Sequence, residues 1–281
     1  MRKLIKYIED DAKLDRIGEP TAGAVGKLTS ATPIKNALSG TWLGHSLHPI
    51  LSDLPIGAWG SALFVDLTAG ERGADAARKL VGAGILAVVP TAASGASDWS
   101  ESYGPEQRVG LVHAVTNSAG TLLQVASWIA RMRGKRGAGI ALSALGFGVT
   151  SAASYLGGHL TLVRGVGVNH TAFEHPEEKW IEVAVKANLD EKKPYRVDAG
   201  GVPVMLVEHL GTVYALSAEC THAGGPLDEG ELVGADCIRC PWHASEFRLT
   251  DGSVVRGPAS VAQPAWDVKV ENDKISVRPK P

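Results

Sequence analysis

Two short pairs of cysteine and histidine constrain this chain of 281 residues most strongly. Cys220 and His222 form the first pair, and Cys240 and His243 form the second, so the pattern reads C-x-H-x17-C-x2-H. Two soft thiolates and two imidazoles are the donor set of a two-iron, two-sulfur cluster whose irons have different ligands. We therefore expect two loops that meet, with both cysteines on one iron and both histidines on the other.

A tetrahedral zinc ion is the main alternative, because zinc also binds two cysteines and two histidines. Cys237 adds to this alternative, since Cys237 and Cys240 form a C-x2-C pair. Zinc fingers, however, have a cysteine pair followed by a histidine pair, not two mixed pairs. We expect Cys237 to pack as a small strand residue instead.

The two pairs lie in the segments CTHAGGPL and CPWHASEF, and Gly257-Pro258-Ala259 follows them. Because of these motifs, the segment of about residues 180–278 resembles the Rieske domain family. The resemblance implies a [2Fe–2S] cluster, a proline loop at 257–259 that shields it, and metal ligation by Cys220, His222, Cys240 and His243. Quinol-oxidising members carry a disulfide between the loops, but here Gly225 or a neighbour and Trp242 stand at its positions. The ferredoxin-type branch is therefore the closer resemblance.

The same resemblance bears on the reduction potential. High-potential members have a serine and a tyrosine after the second histidine, and both donate hydrogen bonds to the cluster sulfurs. Such bonds raise the potential because they stabilise the more negative reduced state. Ser245 holds the serine position, but Phe247 stands where the tyrosine would be and cannot donate. We expect a potential in the lower part of the Rieske range.

Four apolar segments upstream are each long enough to cross the hydrocarbon core of a membrane. They are rich in glycine, alanine and serine, which let membrane helices pack closely, and they cover residues 50–69, 79–97, 109–130 and 138–162. A soluble helical bundle is the alternative, because Asp53, Asp66 and Asn117 interrupt them. Moreover, residues 41–168 resemble a family of bacterial four-helix predicted membrane proteins of unassigned function. That resemblance rests on GHSLHP at 44–49, LPIG at 54–57 and YLGGHL at 155–160.

The expected architecture is a mixed one, with a four-helix transmembrane bundle followed by a small all-β Rieske domain. Residues 1–40 would be an amphipathic and linking segment, and 41–168 the bundle. Residues 169–180 would be a second linker, and 181–281 the cluster domain. Within that domain, the runs PVMLVEH and TVYALSA are separated by a short turn, which predicts a β-hairpin.

With four spans, both ends of the bundle lie on one side of the membrane, and the bundle's histidines, His45, His48, His113 and His159, all fall towards that side. Membrane histidines are candidate functional groups, and two on facing helices suit the axial positions of a b-type haem. His113 and His159 are the expected pair, with His48 as a substitute. Binding of a quinone head group, proton transfer with Asp53 and Asp98, and hydrogen bonding between helices are the alternatives.

The expected function is that of a membrane-bound electron-transfer protein, which passes electrons between the cluster and a redox partner protein. A quinone-linked oxidoreductase subunit and a redox- or iron-sensing membrane module are the alternatives, so the sequence leaves open whether the chain is an enzyme. Membrane lipid is an expected partner, whereas the nearly balanced charge of 28 basic and 30 acidic residues gives no indication of nucleic-acid binding. We expect a multi-pass protein of the cell membrane with the cluster domain on the cytoplasmic side, where a missing disulfide suits the reducing conditions.

Overall fold

The computed structural model of the chain describes residues 2–191 and 193–280. It divides the chain into two compact units. One unit is formed by Met1–Ser30 and Leu47–Val166, and the other by Ala31–Ser46 and Gly167–Pro281. The first unit is helical and the second is rich in β-strands, as the sequence predicts.

The helical unit contains two short helices and four long ones. These are α1 (Arg2–Asp10), α2 (Asp15–Leu28), α4 (Leu47–Ala69), α5 (Ala74–Trp99), α6 (Gly104–Met132) and α7 (Arg136–Leu162), while α3 (Thr32–Ser39) belongs to the other unit. The predicted spans fall on α4 to α7, but the described chain has more helices than the predicted bundle of four. By length and composition alone, two helical stretches could cross a membrane, namely Leu47–Trp99, which includes α4 and α5, and Arg136–Leu162.

The long helices bury several polar side chains and expose several large apolar ones. The interior is held by hydrogen bonds between helices, such as Ser143 Oγ to Gln124 Oε1 at 2.9 Å and Gln124 Nε2 to the Ser143 carbonyl at 3.1 Å. A fully buried ion pair joins Arg131 to Asp66 at 2.6 Å. The outer face is apolar, with exposed Phe64, Leu67, Leu86, Val89, Leu122 and Leu145.

The β-rich unit contains two antiparallel sheets. The first has the strand order β1-β10-β9-β4-β3-β2 and the second β5-β6-β7-β8. The strands of the first are β1 (Ile181–Val185), β2 (Tyr195–Asp198), β3 (Pro203–His209), β4 (Thr212–Ser217), β9 (Ala265–Glu271) and β10 (Lys274–Pro279). The second contains β5 (Glu231–Val233), β6 (Cys237–Arg239), β7 (Glu246–Arg248) and β8 (Val254–Arg256). Strands β3 and β4 pair through the turn at Leu210-Gly211, which confirms the predicted hairpin.

Strand β3 separates two apolar cores, because alternate side chains of a strand point to opposite faces. Val204 and Leu206 pack into one core with Trp266 of β9. Met205 and Val207 pack into the other, which also contains residues of the second sheet and the two cysteines of the metal-ligand motif. The cysteines are thus fixed in the core between the sheets. Cys237 lies buried on β6, which confirms its predicted role as a strand residue.

Helix α3 is part of the β-rich unit, although the sequence analysis assigns it to an N-terminal segment. The Asn36 side chain explains this position. Its Nδ2 donates to the carbonyl of Val255 at 3.0 Å, and its Oδ1 accepts from the backbone N–H of Gly257 at 2.9 Å. Asn36 therefore binds the end of β8 much as a neighbouring strand would.

Candidate metal centre

Two ligand loops carry the cysteine and histidine pairs. The first ligand loop (residues 220–225) follows β4, and the second ligand loop (residues 240–245) connects β6 to β7. Both are closed by the same two backbone bonds. Cys220 N–H donates to Gly225 O and Gly224 N–H to Cys220 O, both at 2.8 Å. In the second loop the corresponding bonds run from Cys240 N–H to Ser245 O at 2.8 Å and from Ala244 N–H to Cys240 O at 3.1 Å.

The two histidines present the same ring nitrogen to each other. Nδ1 of His222 lies 3.3 Å from Nδ1 of His243, and the rings are nearly perpendicular with centroids 4.9 Å apart. Two nitrogens bound to one tetrahedral ion at about 2.0–2.1 Å lie about 3.3–3.4 Å apart, so this separation fits one iron between them. Burial lowers the pKa of His222 to about 3, with contributions from His243 and Lys35, so the His222 ring is neutral and its Nδ1 can act as a ligand.

The two cysteines form the second pair. Both are buried and free of disulfides, and the Cys220 thiol shares a hydrogen bond with the Cys240 sulfur. That bond and burial raise the pKa of Cys220, whereas the bond lowers the pKa of Cys240 to about 7. Backbone N–H groups also donate to the sulfurs, from residues 222 and 223 to Cys220 and from 242 and 243 to Cys240. Such donors stabilise thiolates, the form that binds iron.

The four side chains of the motif fall into two unlike pairs. In the part of the chain that the structure describes, no three cysteine, histidine or carboxylate side chains converge as ligands of one ion. The ligands instead form one sulfur pair and one nitrogen pair, as a cluster with two unlike irons requires.

Buried hydrogen bonds hold the ligand loops. Gln263 is fully buried, and its Oε1 accepts from the backbone N–H of Thr221 at 3.1 Å. Its Nε2 donates to the carbonyls of Ser217 and Glu219 at 2.8 and 2.6 Å. Ser245 Oγ accepts from the N–H of Ala259 at 2.9 Å, which ties the second ligand loop to the segment after Pro258.

The loops also pack directly on each other at Gly225. A Cβ added there would lie 2.9 Å from Cys240 Sγ and 3.1 Å from the Trp242 ring, so glycine is needed for this approach. These two positions are the ones at which the sequence analysis places the disulfide of other members. A glycine and a tryptophan are in contact there instead.

Two further residues beside the centre are outside the predicted site. Lys35 is buried in helix α3, and its positive charge contributes to the lowered pKa of His222. His170 is exposed and lies against the first ligand loop, with its Nδ1 3.4 Å from the point where a Cβ on Gly224 would lie. Neither residue is part of the C-x-H and C-x2-H pattern. A single sequence contains no signal that brings either of them to the cluster loops.

His113 lies beside His48 and not beside His159, the partner expected from the sequence. His48 and His113 are neighbours, with ring centroids 6.5 Å apart and planes at 82°. His159 is not part of this pair, because its Nε2 binds Glu9 Oε1 at 3.0 Å. His45 is exposed and its Nδ1 lies 3.0 Å from the Ser46 carbonyl. The substitute residue, His48, thus takes the place that the sequence analysis gives to His159.

Comparison with known families gives two matches. Residues 179–269 match the Rieske [2Fe-2S] domain, and residues 44–170 match the family described as Predicted membrane protein (DUF2231). The chain is 33% identical over 100 residues to human apoptosis-inducing factor 3, covering 35% of this chain and 16% of that protein. It is 29% identical over 99 residues to the ferredoxin component of the naphthalene 1,2-dioxygenase system of Pseudomonas putida, covering 35% of this chain and 94% of that protein.

Among solved structures, the ferredoxin of carbazole 1,9a-dioxygenase from Nocardioides aromaticivorans IC177 is 33% identical, with a TM-score of 0.35. This likeness covers 36% of the present chain and 99% of the ferredoxin. The chain spans only about a sixth of the length of the apoptosis-inducing factor 3 proteins. Both matches agree with the resemblances carried by the motifs. The chain contains a DUF2231 predicted membrane protein domain at residues 44–170, followed by a Rieske [2Fe–2S] domain at residues 179–269.

Proposed function

We propose that this chain is a membrane-attached electron carrier that exchanges single electrons between its Rieske cluster and a redox partner protein. The observation that carries the proposal is the pairing of the ligands, with two Nδ1 atoms 3.3 Å apart and two buried, hydrogen-bonded cysteines. Cys220 and Cys240 would hold one iron, and His222 and His243 the other. The bound cluster supplies one-electron chemistry, while the chain fixes its ligands and limits its contact with water.

The second ligand loop provides an accessible route for electrons. Trp242 is 54% exposed, and its ring meets that of His243 edge-on with centroids 6.3 Å apart. An exposed aromatic beside a cluster ligand suits a surface on which a partner protein docks. A Trp242→Ala variant should keep the cluster spectrum but transfer electrons to the partner more slowly.

The membrane part of the proposal is supported by the distribution of side chains in α4 to α7. Apolar residues such as Leu67, Leu86 and Leu122 are exposed, while Gln124, Ser127 and Ser143 are buried and hydrogen-bonded. Lipid would cover the apolar face, and the polar groups would join helices that have no hydrophobic drive to associate. We propose that all four long helices cross the membrane. Release of the chain from membranes by alkaline carbonate, without detergent, would contradict this.

The absence of any disulfide between the ligand loops supports a cytoplasmic position of the Rieske domain. Reporter fusions at residue 281 test on which side of the membrane the Rieske domain lies. A reporter that works only in the cytoplasm should be active when it is fused at this position. A fusion active only outside the cytoplasm would contradict the assignment.

The cluster itself is tested by spectroscopy of the purified full chain. After reduction with dithionite, we expect the electron-paramagnetic signal of a histidine-ligated [2Fe–2S] cluster. Cys220→Ser should abolish this signal, whereas Cys237→Ser, a matched control outside the ligand set, should keep it. A signal typical of four cysteine ligands, or zinc in place of iron, would overturn the proposal. Re-oxidation in liposomes with and without a quinone analogue then separates a protein partner from a quinone.

A b-type haem between His48 and His113 is a second candidate. The ring centroids of His48 and His113 lie 6.5 Å apart, so the two imidazoles could hold one iron between them. Each Nδ1 lies near a backbone carbonyl, Thr91 O at 3.0 Å and Ala153 O at 2.8 Å, which leaves Nε2 as the ligand.

Asn117 supports the alternative of a purely structural pair, because its Nδ2 lies 3.2 Å from Nε2 of His113. An absorption spectrum of the purified protein decides between the two. A Soret band that is lost in both His48→Ala and His113→Ala but kept in His159→Ala supports haem. A wild-type spectrum without a Soret band, in either redox state, would end this proposal.

A further inference from the structure

Helix α3 places a buried lysine against the segment that leads into the proline loop. Lys35 is 1% exposed, one of the largest fully buried side chains among the described residues. The segment on which α3 packs is bonded to the second ligand loop. Arg256 Nη1 donates to the Ala244 carbonyl at 2.8 Å, and the Ala259 N–H donates to Ser245 Oγ at 2.9 Å. Lys35 therefore brings a positive charge to the side of the centre that carries this loop.

Three contacts fix the helix that carries Lys35. Asn36 binds the backbone of Val255 and Gly257 at 3.0 and 2.9 Å. On the next turn, Ser39 is buried, with Cβ and Oγ both 3.3 Å from the point where a Cβ on Gly257 would lie. Lys35 is therefore held in place by the segment that precedes Pro258, the proline loop of the domain. Its position does not depend on a flexible terminus.

From this arrangement we propose that Lys35 sets the reduction potential of the Rieske cluster by stabilising its reduced state. The inference rests on the proposed electron-transfer function. With two ferric ions, two sulfides and two thiolates, the oxidised cluster and its cysteines carry no net charge. One electron from the redox partner makes the assembly negative, with no bond formed or broken. A fixed positive charge in a weakly screened environment favours that negative state and raises the potential.

Lys35 lies outside the segment that matches the Rieske domain, residues 179–269. It belongs to residues 31–46, which are part of the β-rich unit. Along the chain, Leu47–Val166 of the helical unit separates these residues from the rest of the β-rich unit. A charged residue that precedes the DUF2231 domain in sequence is thus packed with the Rieske domain that follows it. A Rieske domain excised at residue 179 would lack this charge.

The test is a redox titration of the full chain, followed by the electron-paramagnetic signal of the cluster. Lys35→Gln removes the charge but keeps a polar chain of similar size. We expect its equilibrium constant for reduction to fall about tenfold, which for one electron corresponds to about 59 mV. Lys35→Arg keeps the charge and should stay close to the wild type. Lys269→Gln, which removes an exposed cation paired with Glu271 on β9, is the matched control and should change nothing.

Asn36→Ala gives an independent measurement, because it loosens the helix and leaves Lys35 unchanged. Its potential should fall in the same direction by a smaller amount. An intact cluster signal with a wild-type potential in Lys35→Gln would overturn the inference, as would an equal fall in Lys269→Gln. If Lys35→Gln loses the cluster, Asn36→Ala decides, and an unshifted potential there counts against the inference. A wild-type chain without a Rieske signal would instead overturn the proposed function.

Discussion

Gly224 and Ala244 occupy the same position in the two ligand loops. Each donates its backbone N–H to the carbonyl of the ligand cysteine four residues earlier, at 2.8 and 3.1 Å. Each also has a positive φ, 73° for Gly224 and 56° for Ala244. The two loops are therefore the same turn built twice, once with glycine and once with a residue that carries a Cβ.

This equivalence predicts opposite effects of exchanging the two residues. A left-handed conformation costs an L-residue about 1–2 kcal/mol, so Ala244→Gly should stabilise the protein by up to about 1 kcal/mol after the entropy of the unfolded chain is included. Gly224→Ala should destabilise it, because alanine would have to adopt the same positive φ, while its Cβ would only touch the His170 ring at an ordinary contact distance. Thermal unfolding of the two variants measures both effects. Equal melting temperatures would show that the turns are not strained in this way.

That the two Cys–His pairs meet is predictable from the sequence, because the members of each pair are close neighbours along the chain. Cys220 and His222, like Cys240 and His243, reach one centre through the geometry of a single turn each. The hairpin of β3 and β4 is predictable for the same reason, since alternating side chains and a short turn are local features.

Contacts between distant segments are not predictable in this way. Asn36 and Val255 are separated by 219 positions, and nothing in the local pattern of residues 31–46 indicates that they bind a strand end. The partner of His113 illustrates the same limit. The number of predicted spans places His48, His113 and His159 at one end of the helices, but the rotation of each helix about its axis decides which rings meet. His159 forms a hydrogen bond with Glu9 instead of meeting His113.

Phe247 provides a prediction about the cluster potential. Its side chain is fully buried on β7 and has no donor, while buried Ser245, two residues earlier, has a hydroxyl. We expect Phe247→Tyr to raise the potential above that of the wild type, because a phenol can donate to a cluster sulfur. Redox titration is the measurement, and Phe247→Leu, which adds no donor, is the control for altered packing. A Phe247→Tyr protein with an intact cluster and the wild-type potential would contradict the assignment of this position.

Two glycines of the helical unit allow a matched stability test. A Cβ on Gly84 would clash with Nε1 of Trp59, which donates to the Val81 carbonyl at 3.3 Å. Gly148 on α7 has no neighbouring atom within 4 Å of its Cβ position. Gly84→Ala should therefore lower the free energy of unfolding in detergent by an amount typical of overpacking, about 1–3 kcal/mol. The melting temperature should fall accordingly. Gly148→Ala should be neutral or stabilising by up to about 1 kcal/mol, and an equal loss in both variants would contradict the packing argument.

Glu174 predicts a dependence of stability on pH in the β-rich unit. Burial raises the pKa of this carboxyl, and its Oε1 is buried without a hydrogen-bond partner. The hydrogen bond that Ser217 Oγ donates to Oε2 at 2.6 Å opposes this shift but is the smaller effect. A raised folded-state pKa means that the protonated form is favoured in the folded protein. The associated stability is present below the unfolded value near 4.5 and is lost as the pH rises through the folded pKa.

Glu174→Gln removes the charge and keeps an oxygen that can accept the Ser217 hydroxyl. The variant should therefore melt at a higher temperature than the wild type at pH 8, and the difference should shrink at pH 4, where the wild-type carboxyl is protonated. Thermal unfolding at both pH values measures this, and Glu177→Gln, at a more exposed carboxylate nearby, is the control. A difference between wild type and Glu174→Gln that grows towards pH 4 has the opposite sign and would show that the charged form of Glu174 stabilises the fold.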